Sequence, residues 1–236
     1  MVKILNLVIY NPTADYEQLM RAQLTIAAAA SNVAGPHTVN QYFVAMRDQA
    51  EDVVVEGDSL WVRGVEDRKL GILDKTLRSL RHCLENFDFD LVVRSNVSTA
   101  IDFRHFPADV ALASGYSGPL CLRLGWLDPE AGIVDHRYAG VCFASGTCFA
   151  LNRAAAAALL SVAPPPIIDD VAVGVMMAGR FPLHKLPVNL VEPRPDGTYV
   201  YHIGGTAAAE AVVVRHHTKD RMADAAAMKE TVARFA

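Results

Sequence analysis

The sequence predicts an α/β fold in which strands and helices alternate along the chain. Its 236 residues are enough for one large domain that buries roughly 70 to 75% of its unfolded surface. Apolar runs of strand length alternate with longer segments that have a helical period. The sequence shows no internal repeat, low-complexity linker or convincing domain boundary. We therefore expect residues 1–236 to form a single domain.

The first part of the chain carries the most regular part of this pattern. Strands are predicted at KILNLVIY, VNQYFVAM, SLWVRGV and DLVVR. Amphipathic helices are predicted at ADYEQLMRAQLTIAAAA, after the first strand, and at LGILDKTLRSLRHCLENF, before the fourth. Such alternation predicts helices that pack against a sheet.

After Ile101 the pattern loosens, and we expect loops around short strands that shape the site. Gly, Pro and Asp are frequent in HFPADVALASGYSGPLCLRLGW and LDPEAGIVDHRYAG. Regular elements return with the Gly-interrupted strand VCFASGTCFALN and a helix that begins after Asn152. IIDDVAVGVMMAG predicts a helix that begins at its acidic pair and ends at Gly179. PVNL, TYVYHI and AVVVRHH are predicted late strands, and KDRMADAAAMKETVARF is the predicted terminal helix.

Composition argues against several classes of protein. The formal net charge is -4 and the Lys and Arg residues are dispersed, so no nucleic acid partner is expected. No apolar run reaches the roughly 20 residues of a membrane span, and the opening MVKILNLVIYN is followed by no signal-peptide cleavage site. The cysteines lie in apolar contexts without a CxxC pair, which predicts buried free thiols and a reducing compartment. They are Cys83, Cys121, Cys142 and Cys148.

A polar cluster, RSNVST, follows the apolar run of the fourth predicted strand. Ligands bind outside the carboxyl ends of the strands in open α/β sheets, so this cluster is a candidate for lining a ligand crevice. The alternative is a strand-to-helix turn in which Asn96 and Ser98 cap a following helix.

Four segments occur in a fixed order between about Glu66 and Leu186: GILDKTLRSLRHC, FDFDLVVRSNVS, ASGTCFALNR and IDDVAVG. In this order and spacing the chain resembles the galactosyltransferase and Fringe-type glycosyltransferases. The resemblance implies a GT-A type fold, with a mostly parallel twisted sheet and helices on both faces. It also implies transfer of a sugar from a nucleoside diphosphate to a glycan or other hydroxyl acceptor, with inversion.

The chain departs from this family where the metal-binding acidic triplet belongs, because Asn96-Val97-Ser98 stands there. Mg²⁺ and Mn²⁺ prefer charged oxygen ligands, so we expect neither as a cofactor. Asp88 and Asp90 also form a DxD pattern, but they precede the strand and are expected at its far end. A metal-dependent enzyme that uses these aspartates or the late histidines remains an alternative.

The resemblance also implies the roles of individual residues. Asp170 would be the general base, with burial or its neighbour Asp169 raising its pKa, and the alternative is a helix cap at this acidic pair. Lys75 and Arg94 would offset the charge of the diphosphate, and the alternative is a surface ion pair with an aspartate, Asp67 or Asp74. The donor-binding set is Tyr10, Asn11, Lys75, Thr76, Arg94, Asn96, Ser98, His216, His217 and Lys219.

Two of these groups have further alternatives. Tyr10 and Asn11 end the first strand, where they would contact the base, although turn formation at Asn11-Pro12 explains the same residues. His216, His217 and Lys219 would contact phosphate, and the alternative is exposed polar residues before the terminal helix.

The predicted partners are a nucleotide-sugar donor and a hydroxyl acceptor. Animal relatives carry an amino-terminal membrane anchor that this sequence lacks, so we expect a cytoplasmic enzyme, bacterial or from the host cytosol of a virus. A rival hypothesis is a non-catalytic relative that only binds a glycan or nucleotide.

Overall fold

The computed structural model describes residues 1–32, 37–67, 71–194, 199–201, 211–218 and 220–235. The strands are β1 (Val2–Ile9), β2 (His37–Arg47), β3 (Val53–Glu56), β4 (Ser59–Arg63), β5 (Leu91–Asn96), β6 (Thr99–Ile101), β7 (Tyr116–Gly118), β8 (Cys121–Arg123), β9 (Cys142–Ala144), β10 (Cys148–Asn152), β11 (Leu183–Lys185), β12 (Leu190–Pro193), β13 (Tyr199–Tyr201) and β14 (Val213–Arg215). The α-helices are α1 (Ala14–Asn32), α2 (Gly71–Asn86), α3 (Ala108–Ser114), α4 (Arg153–Leu160), α5 (Asp169–Met177) and α6 (Arg221–Phe235). Two 3-10 helices lie at Pro129–Ala131 and His136–Tyr138.

The largest sheet has eight strands in the order β11-β7-β10-β5-β1-β2-β4-β3. The four strands β5, β1, β2 and β4 pair in parallel with one another, whereas β10 and β3 run antiparallel to their neighbours β5 and β4. The central strand β1 has an almost uninterrupted apolar sequence because both of its faces are covered. The mostly parallel sheet expected from the sequence is therefore present.

Helices cover both faces of this sheet. Alternate residues of β1 point to opposite faces: Leu7 packs in one core cluster with Leu80 of α2, whereas Val8 packs in another with Leu19 of α1. The apolar side chains of α4 and α5 join the cluster of α2, and those of α6 join the cluster of α1. The layered arrangement predicted from alternating strands and helices is confirmed.

A crevice forms where β1 and β5 lie side by side. The chain leaves β1 through α1 to reach β2 on one side, and it enters β5 from α2 on the other side. The strand order therefore reverses at β1, because α1 leads from its carboxyl end to β2 on one side, whereas α2, on the opposite face, leads to the amino end of β5 on the other side. Such a switch point is where open α/β sheets bind ligands.

Several local predictions need correction. No helix follows the polar cluster, since Thr99 begins strand β6, so the helix-capping alternative for Asn96 and Ser98 is wrong. The acidic pair does not cap α5 either, because Ile168 occupies the N-cap and makes no side-chain cap bond. Strands β3 and β11 and helix α3 were not predicted, and PVNL overlaps β12 at Leu190 alone. Within the described ranges, no helix combines the length and apolar character that a membrane span needs.

The cysteines divide by burial. Cys83 and Cys148 are buried, as predicted, and burial raises the pKa of each thiol to about 12. The prediction is wrong for Cys142, which is exposed at the start of β9, and Cys121 is only half-buried. All four are free thiols.

We expect Cys142 to react first with a thiol reagent such as DTNB, because its thiol is accessible in the folded protein. Cys83 and Cys148 should react only after unfolding in urea, since the thiolate that reacts is disfavoured at buried sites. Absorbance of the released chromophore follows both phases. The Cys142→Ser protein should lack the fast phase, and a fast phase of unchanged amplitude in that protein would contradict the assignment.

Candidate functional site

A pocket of about 170 Å³ lies at the carboxyl ends of β1 and β5. Its lining comes from the end of β1, the starts of α1 and α2, the turn after β5, and the segment that joins β14 to α6. Six residues of the predicted donor-binding set line it: Tyr10, Asn11, Lys75, Asn96, Ser98 and His217. The structure thus brings together residues from both ends of the chain at the switch point of the sheet.

The turn after β5 is held in place by its neighbours. The Val97 amide donates to the Ile9 carbonyl at 3.0 Å, which ties the turn to the end of β1. From α1, the buried Gln23 side chain donates to the Val97 carbonyl at 3.0 Å and to the Thr99 carbonyl at 2.6 Å. These bonds satisfy carbonyl groups that the turn would otherwise leave unpaired. They fix the backbone that carries Asn96 into the pocket.

The residues of this turn do not fit a divalent cation. Asn96 and Ser98 supply an amide and a hydroxyl, whereas Mg²⁺ and Mn²⁺ prefer carboxylates. Two carboxylates do line the pocket, Glu66 and Asp67, and Glu66 is already committed to an ion pair. Across the described part of the chain, no group of three or more His, Cys, Asp or Glu side chains is placed to hold a metal ion.

Lys75 is buried in the wall of the pocket. Its ammonium donates to the Tyr10 carbonyl at 2.7 Å and to the Glu66 carboxylate at 2.6 Å. The alternative of a surface pair with Asp67 or Asp74 is therefore wrong, because the partner is Glu66 and the lysine is only 1% exposed. Burial lowers the pKa of Lys75, and the Glu66 charge opposes this shift. Lys75 thus links α2 to the end of β1.

Replacement of Lys75 by methionine is expected to destabilise the protein by about 3 kcal/mol, because it leaves the carboxylate of Glu66 without its cation in a poorly hydrated position. Urea unfolding monitored by circular dichroism measures the loss. In a double-mutant cycle, Lys75→Met with Glu66→Gln should cost less than the sum of the two single changes. Strict additivity would show that the pair is not coupled.

The two late histidines, His216 and His217, point to opposite sides because side chains alternate along an extended chain. Arg215, at the end of β14, and His217 line the pocket, whereas His216 points to the opposite side. The buried His216 ring lies 3.0 Å from the Thr231 hydroxyl, and burial lowers its pKa to about 4. The structure therefore does not bring His216 into the pocket. Lys219 lies outside the described residues.

Thr76 is also outside the pocket lining. It lies one position beyond Lys75 on α2, is buried, and donates its hydroxyl to the Ile72 carbonyl at 2.7 Å. This bond back along the helix satisfies the hydroxyl within α2. Thr76 therefore does not face the pocket, where it was predicted to contact a donor.

Several pocket residues were not in the predicted donor-binding set, among them Tyr16 and Arg221. Tyr16 lies in the first turn of α1 and Arg221 in the first turn of α6, and both line the pocket. The Arg221 guanidinium carbon lies 5.2 Å from the centre of the Tyr16 ring. A cation at the start of a helix is disfavoured by the helix dipole, and this unusual placement in the sequence could have singled out Arg221 as a functional residue. Nothing in the sequence distinguished Tyr16 from an ordinary helical aromatic residue.

The acidic pair at the start of α5 belongs to a second polar cluster. Arg94 of β5 donates one nitrogen to the Asp169 carboxylate at 2.5 Å and the other to the Gly146 carbonyl. The Gly146 amide in turn donates to Asp170 at 2.9 Å, and the Val171 amide donates to the other Asp170 oxygen at 2.9 Å. A side chain at position 146 would crowd this cluster, since its Cβ would lie 3.3 Å from an Arg94 nitrogen.

The surroundings of Asp170 shift the pKa of its carboxyl group. Its pKa is raised, first by burial and then by the neighbouring Asp169 charge, while the Gly146 amide and Arg94 oppose the shift. A half-buried carboxyl group with a raised pKa can accept and release a proton closer to neutral pH than an ordinary aspartate. Both features that Asp170 needs for a base role, burial and a charged neighbour, are present.

The second polar cluster acts electrostatically on Lys75 in the pocket wall. The charges of Arg94 and Asp169 both influence the pKa of Lys75, so these groups lie within electrostatic range of the pocket wall. Arg94 itself does not line the pocket, because its guanidinium is buried against Asp169. Its predicted contact with a diphosphate is therefore not available in this arrangement, and the surface-pair alternative for Arg94 is wrong as well.

Asp88 and Asp90 lie near the amino ends of β5 and β1, at the opposite end of these strands from the pocket. Asp88 pairs with the Lys3 ammonium at 2.5 Å, and Asp90 accepts a bond from the Lys3 amide at 2.8 Å. Lys3 lies near the amino end of β1, whereas the pocket lies at its carboxyl end. These aspartates therefore lie away from the crevice, as predicted.

Comparisons with known proteins show the fold. No protein-family model matches the chain, and no curated protein matches it in sequence. A glycosyltransferase involved in the glycosylation of the major capsid of PBCV-1 superposes with a TM-score of 0.51 at 11% identity, over 96% of this chain and 98% of that one. This likeness confirms the predicted α/β fold of the GT-A type.

Two other solved structures are also similar. An active-site mutant of LgtC gives a TM-score of 0.49 at 10% identity, over 98% of this chain and 95% of that one. The 2-C-methyl-D-erythritol 4-phosphate cytidylyltransferase from Thermus thermophilus gives 0.42 at 16% identity, over 97% of this chain and 98% of that one.

Proposed function

We propose that this protein transfers a sugar from a nucleoside diphosphate donor to a hydroxyl acceptor, as a divergent relative of the galactosyltransferase and Fringe-type enzymes. One observation carries the proposal: the pocket at the switch point of the sheet has Lys75 in its wall within electrostatic range of Arg94 and Asp169, and their neighbour Asp170 has a raised pKa. A nucleotide fits the first feature, and a general base fits the second.

The proposed reaction inverts the anomeric carbon. Ionised Asp170 takes the proton from the acceptor hydroxyl while the acceptor oxygen forms a bond to that carbon. The bond between the anomeric carbon and the diphosphate oxygen breaks on the opposite face, and its electron pair leaves with the nucleoside diphosphate. Asp169 and Arg94 hold this base in position through the bonds of the Gly146 loop.

The donor occupies the pocket in this proposal. Tyr10 and Asn11 lie at the end of β1, where they contact the base. Asn96 and Ser98 can hydrogen-bond the hydroxyl groups of the ribose or the sugar. Because the turn supplies no carboxylate, we propose that the enzyme needs no divalent metal.

A panel of donors tests the proposal. Purified protein is mixed with UDP-, GDP-, dTDP- and CMP-sugars, each in Mn²⁺ and in EDTA, and both thermal shift and sugar release are measured. The expected result is a shift with one nucleotide in EDTA, together with slow release of its sugar. Release that requires Mn²⁺ would overturn metal independence. Absence of shift and release with every donor would overturn the transferase proposal.

The neutral turn also favours a second candidate, a relative that binds a nucleotide or glycan without turnover. Loss of the carboxylates at Asn96 and Ser98 would be tolerated in such a protein, because binding alone needs no catalytic metal. A thermal shift without sugar release, unchanged when Asp170 is replaced, would identify this case.

A further inference from the structure

Three cationic or titratable side chains converge on one wall of the pocket. Arg215 ends β14, His217 follows two positions later on the same side of the extended chain, and Arg221 begins α6. The connection between them is pinned, because the Thr218 amide and hydroxyl both donate to the Asp224 carboxylate. All three side chains therefore face the same space.

This convergence disfavours the charged form of His217 in the absence of a bound anion. The pKa of His217 is lowered by burial first and then by the charges of Arg215 and Arg221. Asp224 and Glu192 act in the opposite direction but do not offset these effects. Arg221 also lies in the first turn of α6, where the helix dipole disfavours a cation.

The carboxylate partners do not use the full hydrogen-bonding capacity of the arginines. Glu192 bonds one terminal nitrogen of Arg215 at 3.1 Å, and Asp224 bonds one of Arg221 at 2.9 Å. The Nε of Arg215 is buried and has no hydrogen-bond partner among the described residues. The Arg221 guanidinium carbon lies 5.2 Å from the centre of the Tyr16 ring, and its other terminal nitrogen donates a long bond of 3.4 Å to the Tyr16 hydroxyl, which limits its orientations.

We infer that Arg215, His217 and Arg221 form a binding site for the diphosphate of the donor, in place of the divalent cation that the neutral turn does not fit. The inference rests on the proposed function and names the groups that meet the charge of the leaving diphosphate. Guanidinium groups form paired bonds with phosphate oxygens and need no metal to do so. Lys75 and Arg94 do not take this role, because their side chains, paired with Glu66 and Asp169, are only 2% and 3% exposed. The side chains of Arg215 and Arg221 are 23% and 19% exposed.

The inference predicts that binding takes up a proton. The lowered pKa keeps His217 neutral in the free protein near neutral pH, and an adjacent diphosphate favours its charged form. The bound-state pKa is therefore higher than the free-state pKa, so affinity rises as the pH falls through the bound-state value. The groups that face His217 and set this balance are Arg215, Arg221, Asp224 and Glu192.

Calorimetric titration in EDTA tests the site, with inorganic pyrophosphate, UDP, GDP, dTDP and CDP as probes. We expect Arg215→Met and Arg221→Met each to weaken binding about 10- to 100-fold, as for the loss of a hydrogen bond between charged groups. Arg215→Lys and Arg221→Lys keep the positive charge but lose the two parallel donors of the guanidinium group, and should weaken binding less. Titrations in buffers of different ionisation enthalpy measure proton uptake, which His217→Gln should abolish.

Arg137→Met is the matched control, because Arg137 is an exposed arginine paired with Asp135 that does not line the pocket. It should bind each probe like the unaltered protein. If a nucleotide binds both arginine variants with unchanged affinity, or binds only when Mn²⁺ is added, the inference is overturned while the transferase proposal survives. If no probe and no nucleotide-sugar binds under any condition, the transferase proposal fails together with it.

Discussion

An Asp170→Asn protein is expected to transfer sugar about 10²- to 10⁴-fold more slowly than the unaltered enzyme, as for the loss of a general base. Asparagine is close in size and its single oxygen can accept the Gly146 amide bond, while the bond from the Val171 amide is lost. The amide cannot take a proton from the acceptor hydroxyl. The effect should therefore fall on kcat, while the donor nucleotide binds with unchanged affinity.

Initial rates and nucleotide titrations of both proteins measure this split. Asp109→Asn is a matched control, because Asp109 is also an acid in the first turn of a helix but is exposed and lies outside the site. It should have normal rates. An Asp170→Asn protein with unchanged kcat would show that Asp170 is not the base, and weakened nucleotide binding would place it in the donor site instead.

The pH profile of the unaltered enzyme gives a second test of Asp170. Transfer requires the ionised carboxylate, so the rate should fall as pH decreases through a value above 3.8, the ordinary pKa of aspartate. Since the pKa is raised in the folded state, the ionised group costs stability. Stability should therefore decline as pH rises from the unfolded pKa through the folded one, and this dependence should be absent in Asp170→Asn.

The parts of the fold with a strong sequence period could be predicted, and short elements could not. β1, β2 and α2 carry enough apolar residues at the right spacing to identify them. Strand β11 has only three residues, so it shows no recognisable alternation and depends on pairing with β7. Tertiary pairing, rather than local preference, defines such strands.

Polar residues inside strand β5 misled the sequence interpretation. The predicted strand DLVVR ends at Arg94 and leaves Ser95 in the polar cluster that follows, yet Arg94 and Ser95 both lie within β5, which continues to Asn96. They are tolerated there because Asp169 pairs with the arginine and the Ser95 hydroxyl lies 3.3 Å from the Asn6 side chain. These partners lie far away in the sequence, so no local pattern shows them.

The candidate site was predictable where it follows the strand ends. Tyr10, Asn11 and the turn at Asn96 lie in the pocket because the carboxyl ends of β1 and β5 meet there. Residue type could not separate His216 from His217, although alternation along the strand could have done so. Tyr16 and Arg221 reach the pocket because α1 and α6 lie on the same face, which is a property of the folded chain.

Replacement of Arg94 by methionine is expected to lower the free energy of unfolding by about 3 to 5 kcal/mol, because it leaves Asp169 buried without its cation. The side chains of Arg94 and Asp169 are only 3% and 8% exposed, so water cannot replace the lost partner. Urea unfolding measures the loss. The double variant Arg94→Met with Asp169→Asn should be more stable than the sum of the two single losses predicts.

The same two single variants should move the acid limb of the pH profile in opposite directions. Without Arg94, Asp170 loses a positive charge that lowers its pKa while the Asp169 charge remains, so the Asp170 pKa rises and the limb moves up. In Asp169→Asn the negative neighbour is lost while Arg94 remains, so the Asp170 pKa falls and the limb moves down. A purely structural role for Arg94 would lower stability and rate in both variants without this reversal. Limbs that stay in place, or move together, would therefore show that Arg94 packs the cluster but does not tune its base.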